Sequence, residues 1–208
     1  MLLTMNDVAD GFSYPASSRL GTALAPAHLV LSQELANTIG FHHLPQFADL
    51  LDQVETARQW IDAVVPYWCA SFGVDDPRLV VTPAELPHLR AVRSALRATL
   101  GDAEPGADAV ITGTVDITVT ASGAHLEPRG SGADWLAAAL AIEASTAEGH
   151  DTLRRLKLCN EAQCRTALYD RSKNNSRVWH DTATCGNQAN ARAHRARRRA
   201  TARDNPSQ

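Results

Sequence analysis

Three of the four cysteines in this chain lie in one polar segment, together with a histidine. Four residues separate Cys159 from Cys164, four separate His180 from Cys185, and fifteen lie between the two pairs. Closely spaced thiol and imidazole ligands joined by a short loop are typical of tetrahedral zinc sites. We therefore predict that these four residues hold one Zn²⁺ ion.

The predicted zinc is structural rather than catalytic. Three cysteines and one histidine fill all four positions of the metal, so none remains for a substrate or a reactive water. The alternative, three buried free cysteines and an unrelated histidine, fits poorly because the segment is too polar to bury thiols. Elsewhere the sequence shows no nucleophile with a neighbouring base, no phosphate-binding loop and no carboxylate pair at useful spacing. We predict that the protein is not an enzyme.

The end of the chain is strongly basic. Residues 151–208 contain 13 Lys and Arg against 5 Asp and Glu, whereas the preceding residues contain 7 against 18. A basic end on an acidic body favours a polyanion partner for that end, although a disordered tail that aids solubility is the alternative. Alanine and arginine dominate residues 187–203 and predict a helix there. Arginine suits both phosphate contact and guanine readout, which favours duplex DNA. The residues predicted to contact nucleic acid are Lys173, Arg177, Arg192, Arg195, Arg198 and Arg199.

The preceding part of the sequence predicts a mostly helical domain with one small hairpin. Apolar residues at helical spacing predict helices over residues 29–39, 53–65, 82–100 and 131–149. Pro66 is expected to end the second helix, Thr82 and Glu85 to form a capping box for the third, and Ser131 to cap the fourth. Apolar and polar residues alternate over 114–120, which predicts a half-buried strand that turns back through residues 124–129.

Two features of this helical part have alternative interpretations. Tyr67, Trp68 and Phe72 belong either to the core or to a small-molecule pocket. The stripe formed by Arg90, Arg93 and Arg97 is either a solvated face paired with the acidic body or a site for an anion.

The predicted fold class is α+β. A mostly helical N-terminal domain with a small antiparallel β-hairpin precedes a small C-terminal zinc-binding domain with a terminal basic helix. The expected divisions are a poorly ordered leader over residues 1–25, the helical domain over 26–149, the zinc unit and basic helix over 150–203, and a tail over 204–208. The sequence has no apolar run of about 18 residues and no recognisable signal peptide, so we expect a cytoplasmic protein without a membrane partner. Clustered cysteines with a histidine suit a reducing compartment.

Several short motifs carry a resemblance to known proteins. They are Cys159-x4-Cys164, Asp170-Arg171-Ser172, Arg177-Val178-Trp179-His180 and Cys185-Gly186-Asn187. Together they resemble the CGNR zinc finger family of bacterial proteins. That family commonly has cysteine where His180 stands, and basic residues where Gln188 and Asn190 stand. The lost charges shift the expected DNA contacts further along the basic helix.

The helical part is similar to the ABATE-like domain found in stress-induced transcription regulators. The similarity rests on Asn37-Thr38 after the first helix and on the Arg93-Ser94-Ala95-Leu96-Arg97 run. The two resemblances imply a DNA-binding transcriptional regulator whose N-terminal domain senses a small-molecule effector or forms a homodimer. The alternative is a zinc-thiolate sensor of redox state or of a ligand, acting through protein or RNA contacts without DNA. The operator, the effector and the oligomeric state stay open.

Overall fold

The computed structural model describes residues 14–41, 46–102 and 110–204, with side chains as far as Arg198. This part of the chain is α+β, as predicted, with six α-helices and two small antiparallel hairpins. The helices are α1 (Pro15–Ser18), α2 (Val30–Ala36), α3 (Val54–Phe72), α4 (Glu85–Arg97), α5 (Gly132–Gly149) and α6 (Asn187–Asp204). The strands are β1 (Val115–Thr120), β2 (Gly123–Pro128), β3 (Leu156–Leu158) and β4 (Ala167–Tyr169). Among these residues, no helix has the length and apolar character needed to cross a membrane.

Helix α2 lies at the centre of the fold, and all seven of its residues are buried. Leu31 and Leu35 belong to the main apolar cluster, as their spacing predicts, together with residues of α3, α4 and α5. The helix ends at Ala36, three residues before the predicted end. Its polar side chains are buried as well, so each needs a hydrogen-bond partner from another element.

Carboxylates from other elements accept hydrogen bonds at the starts of α1 and α2. Glu143 of α5 accepts from the backbone N–H groups of Leu31 and Ser32 at 2.9 and 2.8 Å. Glu34 of α2 accepts from those of Ala16 and Ser17 at 3.1 and 2.8 Å. Free N–H groups and the helix dipole make such ends favourable for a negative charge. Burial nevertheless raises the pKa of Glu143 to about 7 and also raises the pKa of Glu34, because the hydrogen bonds offset only part of the desolvation.

Two tryptophans of α3 lie beside these carboxyl groups. The indole of Trp60 lowers the pKa of Glu34, and that of Trp68 lowers the pKa of Glu143. Neither indole N–H donates a hydrogen bond within the described chain, so both indoles act on the carboxyl groups as dipoles. Helix α3 thus supports both helix starts from one side.

Guanidinium groups occupy the opposite end of α2. Arg97 donates to the Ala36 carbonyl at 2.9 Å, and Arg19 donates to the carbonyls of Asn37 and Ile39 at 2.8 and 2.7 Å. Cations at a helix C-terminus complement the negative end of its dipole. The short α2 is therefore stabilised at both ends by hydrogen bonds to side chains from other parts of the chain.

The arginine stripe of α4 pairs with acidic residues, as one interpretation predicted, but Arg93 and Arg97 are not solvated. Arg93 and Arg97 are only 7% and 4% exposed. Arg93 pairs with Asp49 at 2.6 Å and Arg97 pairs with Asp102 at 2.7 Å. Arg93 and Arg97 therefore form internal ion pairs and do not form an anion site, whereas Arg90 stays partly exposed near Asp52 at 3.8 Å.

Helix α3 continues through Pro66 to Phe72, so the prediction that Pro66 ends it is wrong. Trp68 is fully buried, stacks on Phe72 at 4.4 Å between ring centroids and meets Trp135 edge-on at 5.3 Å. This aromatic packing offsets the roughly 3 kcal/mol that a proline costs inside a helix. The same contacts show that Trp68 belongs to the core.

The two predicted side-chain caps are absent. Helix α4 begins at Glu85 without a side-chain cap, and Ser131 makes no capping hydrogen bond to α5. The Glu85 carboxylate instead accepts from the backbone N–H of Ala133 at 3.2 Å, at the start of α5. A capping box fails here because its acidic member serves a different helix.

The β1–β2 hairpin is far more exposed than predicted. Its register places Ile117 opposite Leu126 and Val119 opposite Ala124. Ile117 and Val119 are 65% and 77% exposed, so β1 is not a half-buried strand. Alternation identified the strand and its two faces correctly, but no element of the described chain covers the tip of the apolar face.

Residues 14–25 are packed against the core rather than forming a loose leader. The buried side chains of this segment include Tyr14, Ala16 and Ala25, and Ser17 of α1 is fully buried. The expectation of poor order for residues 1–13, and the predicted tail beyond Asp204, lie outside the described residues.

Candidate metal centre

The first two predicted ligands lie at the ends of a tight connection between β3 and β4. The backbone N–H of Cys159 donates to Thr166 at 2.8 Å, and that of Cys164 donates to Glu161 at 2.9 Å. The antiparallel pairing of Leu158 in β3 with Ala167 in β4 holds the two ends of this connection together. These bonds turn both thiols to the same side.

The second pair of ligands is held by a turn that Asp181 caps. The Asp181 carboxylate accepts from the backbone N–H of Ala183 at 2.9 Å and from the Thr184 hydroxyl at 2.8 Å. The turn over Thr182–Gly186 then carries Cys185 toward the first pair. The backbone N–H of Asn160 donates to Val178 at 2.8 Å and joins the two halves of the site.

The structure brings all four predicted ligands together. One ligand atom from each of Cys159, Cys164, His180 and Cys185 lies within 4.8 Å of every other. The Nδ1 atom of His180 is 3.2 Å from the Cys164 sulfur and 3.4 Å from the Cys185 sulfur. Zinc bond lengths in a tetrahedron require a sulfur-to-nitrogen separation of about 3.5 Å, so the arrangement fits Zn²⁺.

The protonation of the thiols also favours a cation at this position. Contact with Cys164 lowers the pKa of Cys159 to about 3, whereas contact with Cys159 and burial raise the pKa of Cys164. Burial raises the pKa of Cys185 as well. Three sulfurs this close cannot all be thiolates without a counter-charge, and a zinc ion supplies it. The four residues form a site for one structural Zn²⁺.

A small apolar cluster covers the metal ligands. Leu168 and Trp179 pack against Cys159, Cys164 and Cys185. Tyr169, the neighbour of Leu168 in β4, does not belong to this cluster. Because successive residues of a strand face opposite sides, Tyr169 points away from Leu168 and packs with Ala25 and Leu29 of the helical part.

Gly186 leaves room for that tryptophan. A Cβ atom at this position would lie 3.2 Å from Thr182 Cγ2 and 3.4 Å from the Trp179 ring. The glycine of the Cys185-Gly186-Asn187 motif therefore permits close packing next to the last ligand.

Asp170 organises the loop between the two ligand pairs. It is fully buried and accepts from the backbone N–H groups of Ser172 and Arg177 at 2.8 and 2.7 Å, and from the Lys157 ammonium at 2.9 Å. Although burial would raise the pKa of Asp170, these hydrogen bonds lower it well below its ordinary value. No structural role was predicted for Asp170 from the sequence. The Asp-x-Ser spacing is the signal that could have predicted this turn.

The residues predicted to contact nucleic acid divide into three groups. Lys173, Arg195 and Arg198 are exposed and make no hydrogen bond or ion pair within the described chain. Arg177 donates to the backbone carbonyls of Trp179 and His180, and Arg192 pairs with the Glu161 carboxylate. Arg199 lies in α6, with its side chain outside the described part.

The comparison with known families identifies the segment that carries the metal ligands and all of these basic residues except Arg199. Residues 155–198 match the CGNR zinc finger. The CGNR zinc finger therefore includes all four metal ligands and the first two-thirds of α6. No curated protein matches the chain. The resemblance of residues 26–149 to the ABATE-like domain stays a prediction.

The CGNR zinc finger packs directly on the helical part of the chain. Leu158 and Ala167 belong to the same apolar cluster as Leu31 and Trp60. Arg165 also pairs with Asp102 at 3.0 Å. The predicted division at residue 150 stays a prediction, but the described chain has a continuous core across it.

Proposed function

We propose that the protein is a DNA-binding transcriptional regulator whose CGNR zinc finger contacts duplex DNA. The proposal rests on Lys173, Arg195 and Arg198, three exposed cations without a partner in the described chain. Most other basic side chains of the finger are already bound internally, as with Arg155, which donates to two backbone carbonyls. Unpaired cations within one zinc-binding segment favour a polyanion.

The shape of α6 favours a duplex as the polyanion. The helix has 18 residues, which gives it a length of about 27 Å. The described side chains from Asn190 to Arg198 are all exposed. A helix of this kind fits the major groove of B-DNA, where arginine contacts phosphates and guanine edges.

The zinc site anchors the start of α6 to the rest of the finger. Cys185 is two residues before the first residue of α6, and the turn that carries this ligand continues directly into the helix. A metal-bound turn fixes the direction of the first helical turn, so less conformational freedom is lost on binding. The acidic helical part repels DNA, which favours contact through the basic end alone.

The regulatory half of the proposal concerns the helical part. We expect it to sense a small-molecule effector or to form a homodimer, and no enzymatic activity is expected. Sedimentation of the zinc-loaded protein with and without duplex DNA measures the oligomeric state. A monomer in both conditions would remove dimerisation from the proposal.

The test of DNA binding is a fluorescence anisotropy titration of the zinc-loaded full chain with a random-sequence duplex pool at several salt concentrations. A Lys173→Gln, Arg195→Gln and Arg198→Gln triple variant should reduce the slope of log affinity against log salt by about 2.7, because each lost phosphate contact contributes about 0.9. Arg58→Gln, which removes one exposed cation of α3, is the matched control. Absence of binding by the wild type at low salt, or equal slopes for the triple variant and the wild type, would reject the proposal.

A further inference from the structure

Glu161 is an unusual residue in the CGNR zinc finger, because its carboxylate is buried beside the metal ligands. The residue is only 1% exposed. Within its own turn the carboxylate accepts one long hydrogen bond, from the backbone N–H of Gln163 at 3.4 Å. Its one ion-pair partner in the described chain is Arg192 of α6, which lies 31 residues further on. A buried carboxylate needs such a partner to offset its desolvation.

We infer that Glu161 and Arg192 form a positioning pair that sets the direction and rotation of α6 relative to the zinc site. Glu161 lies in the connection between two zinc ligands, and Arg192 lies in the second turn of α6. The pair therefore joins the rigid metal-bound turn to the helix at a second point, after the attachment through Cys185. Two points of attachment fix both the tilt of a helix and its rotation about its own axis.

This inference changes the role of one predicted DNA contact. Arg192 is engaged with a buried carboxylate, and although its own side chain is 45% exposed, we assign it to holding α6 rather than to contacting DNA. At about 100° of rotation per residue, Arg195 and Arg198 lie about 60° and 120° from Arg192, both displaced in the same direction. The pair thus determines which face of α6 the unpaired arginines occupy. The consequence for DNA rests on the proposed function, whereas the fixed helix direction does not.

The first experiment measures DNA binding of Glu161→Gln, Arg192→Gln and the double variant at several salt concentrations. Each single variant should weaken binding about 5- to 10-fold, with the double variant no weaker than either, because both remove the same interaction. The salt slope should stay unchanged. If Arg192 were a phosphate contact, Arg192→Gln would lower the slope by about 0.9 and Glu161→Gln would leave binding unchanged or strengthen it. That pattern would overturn the inference.

The second experiment measures backbone hydrogen exchange of residues 187–198 in the zinc-loaded full chain without DNA. Glu161→Gln and Arg192→Gln should both accelerate exchange in α6 by at least several-fold, and Arg192→Lys should restore part of the protection. Arg154→Gln, which removes an exposed pair with Asp151, is the control and should have no effect. Unchanged exchange in both pair variants would reject the inference.

Two further outcomes separate this inference from the proposed function. If exchange responds as expected but no protein binds a duplex, the positioning pair stands and the DNA-binding proposal fails. If Glu161→Gln loses its zinc, the carboxylate supports the metal site rather than α6, and the inference fails. Zinc content is therefore measured for every variant.

Discussion

The side-chain amide of Asn37 makes two hydrogen bonds to the backbone of Ala167, across the junction between the helical part and the CGNR zinc finger. Its nitrogen donates to the Ala167 carbonyl at 2.9 Å, and its oxygen accepts from the Ala167 N–H at 2.7 Å. Both residues are fully buried. The amide thus takes the place of a neighbouring strand along the edge of β4.

This relationship predicts a large effect of replacing Asn37. Asn37→Ala should lower the free energy of unfolding by about 2–4 kcal/mol, because two backbone groups of Ala167 lose their main partner in a buried position. Asn37→Asp keeps the shape and should also destabilise, since a carboxylate oxygen would then face the Ala167 carbonyl. Urea unfolding of the zinc-loaded protein measures both. The exposed Asn160 is the control. An Asn37→Ala variant as stable as Asn160→Ala would contradict the role given to this amide.

Loss of zinc should destabilise the helical part as well as the finger. Leu158 and Ala167 share an apolar cluster with Trp60 and Trp68, so an unfolded finger exposes part of the common core. Structural zinc supplies about 10–16 kcal/mol of binding free energy, and its removal should cost at least several kcal/mol of stability. Chelation should therefore shift the unfolding midpoint reported by tryptophan fluorescence to lower urea.

The matched variants for this prediction are Cys185→Ser and Cys69→Ala. Cys69 is buried in α3, away from the metal cluster, and burial raises its pKa to about 12. Cys185→Ser should lose zinc, while Cys69→Ala should keep one zinc per chain. A full zinc complement in Cys185→Ser would refute the ligand set, and an unshifted midpoint after chelation would refute the coupling.

The features that sequence predicted well are those set by local spacing. Two ligand pairs on short turns identified the zinc site, because a metal site of this kind needs only residues close in sequence and one loop that brings the pairs together. Alternation likewise identified β1 and its faces. Helix ends were predicted less well. The packing of Trp68 lets α3 continue through Pro66. The start of α5 is capped by Glu85, which belongs to another helix.

The buried polar residues of the fold could not be predicted from the sequence. Charged residues are normally expected at a solvated surface, yet the fold buries Glu34, Arg93 and Glu143. Their burial depends on partners that lie far away in the sequence. The Glu143 carboxylate reaches N–H groups 111 and 112 residues away. No local pattern specifies such a contact. The N–H groups of Leu31 and Ser32 need an outside acceptor only because α2 begins at that position, where no intrahelical carbonyl is available.

The ion pair between Arg93 and Asp49 should contribute far more than the exposed ones. Its side chains are 8% and 16% exposed, whereas those of Arg58 and Glu55 are 55% and 60% exposed. Arg93→Met should cost about 3–5 kcal/mol by leaving a buried carboxylate unpaired. Arg58→Met should cost less than about 1 kcal/mol. Urea unfolding measures both, and similar losses in the two variants would contradict the assignment of Arg93 to the interior.

The buried Glu143 should make the stability of the protein depend on pH. Burial raises the pKa of this carboxyl from 4.5 to about 7. Between these values the folded protein holds a proton that the unfolded chain has lost, so the free energy of unfolding falls as pH rises. The stabilising contribution is complete below about pH 4.5 and is lost above about pH 7, a change of about 3 kcal/mol.

Glu143→Gln isolates this contribution. Glutamine stays neutral at every pH and keeps one oxygen that can accept a hydrogen bond from the N–H of Leu31 or Ser32. The stability of the variant protein therefore does not change with pH through residue 143. Urea unfolding of both proteins from pH 4.5 to pH 8 should show the variant gaining about 3 kcal/mol relative to the wild type. Aspartates with lowered pKa values, such as Asp170, lose their contribution as pH falls through those values, but they act equally in both proteins and cancel in the difference. Glu148→Gln, at an exposed position of the same helix, should give a curve parallel to the wild type. Parallel curves for Glu143→Gln as well would mean that Glu143 is ionised in the folded protein throughout this range, held by the N–H groups at the start of α2.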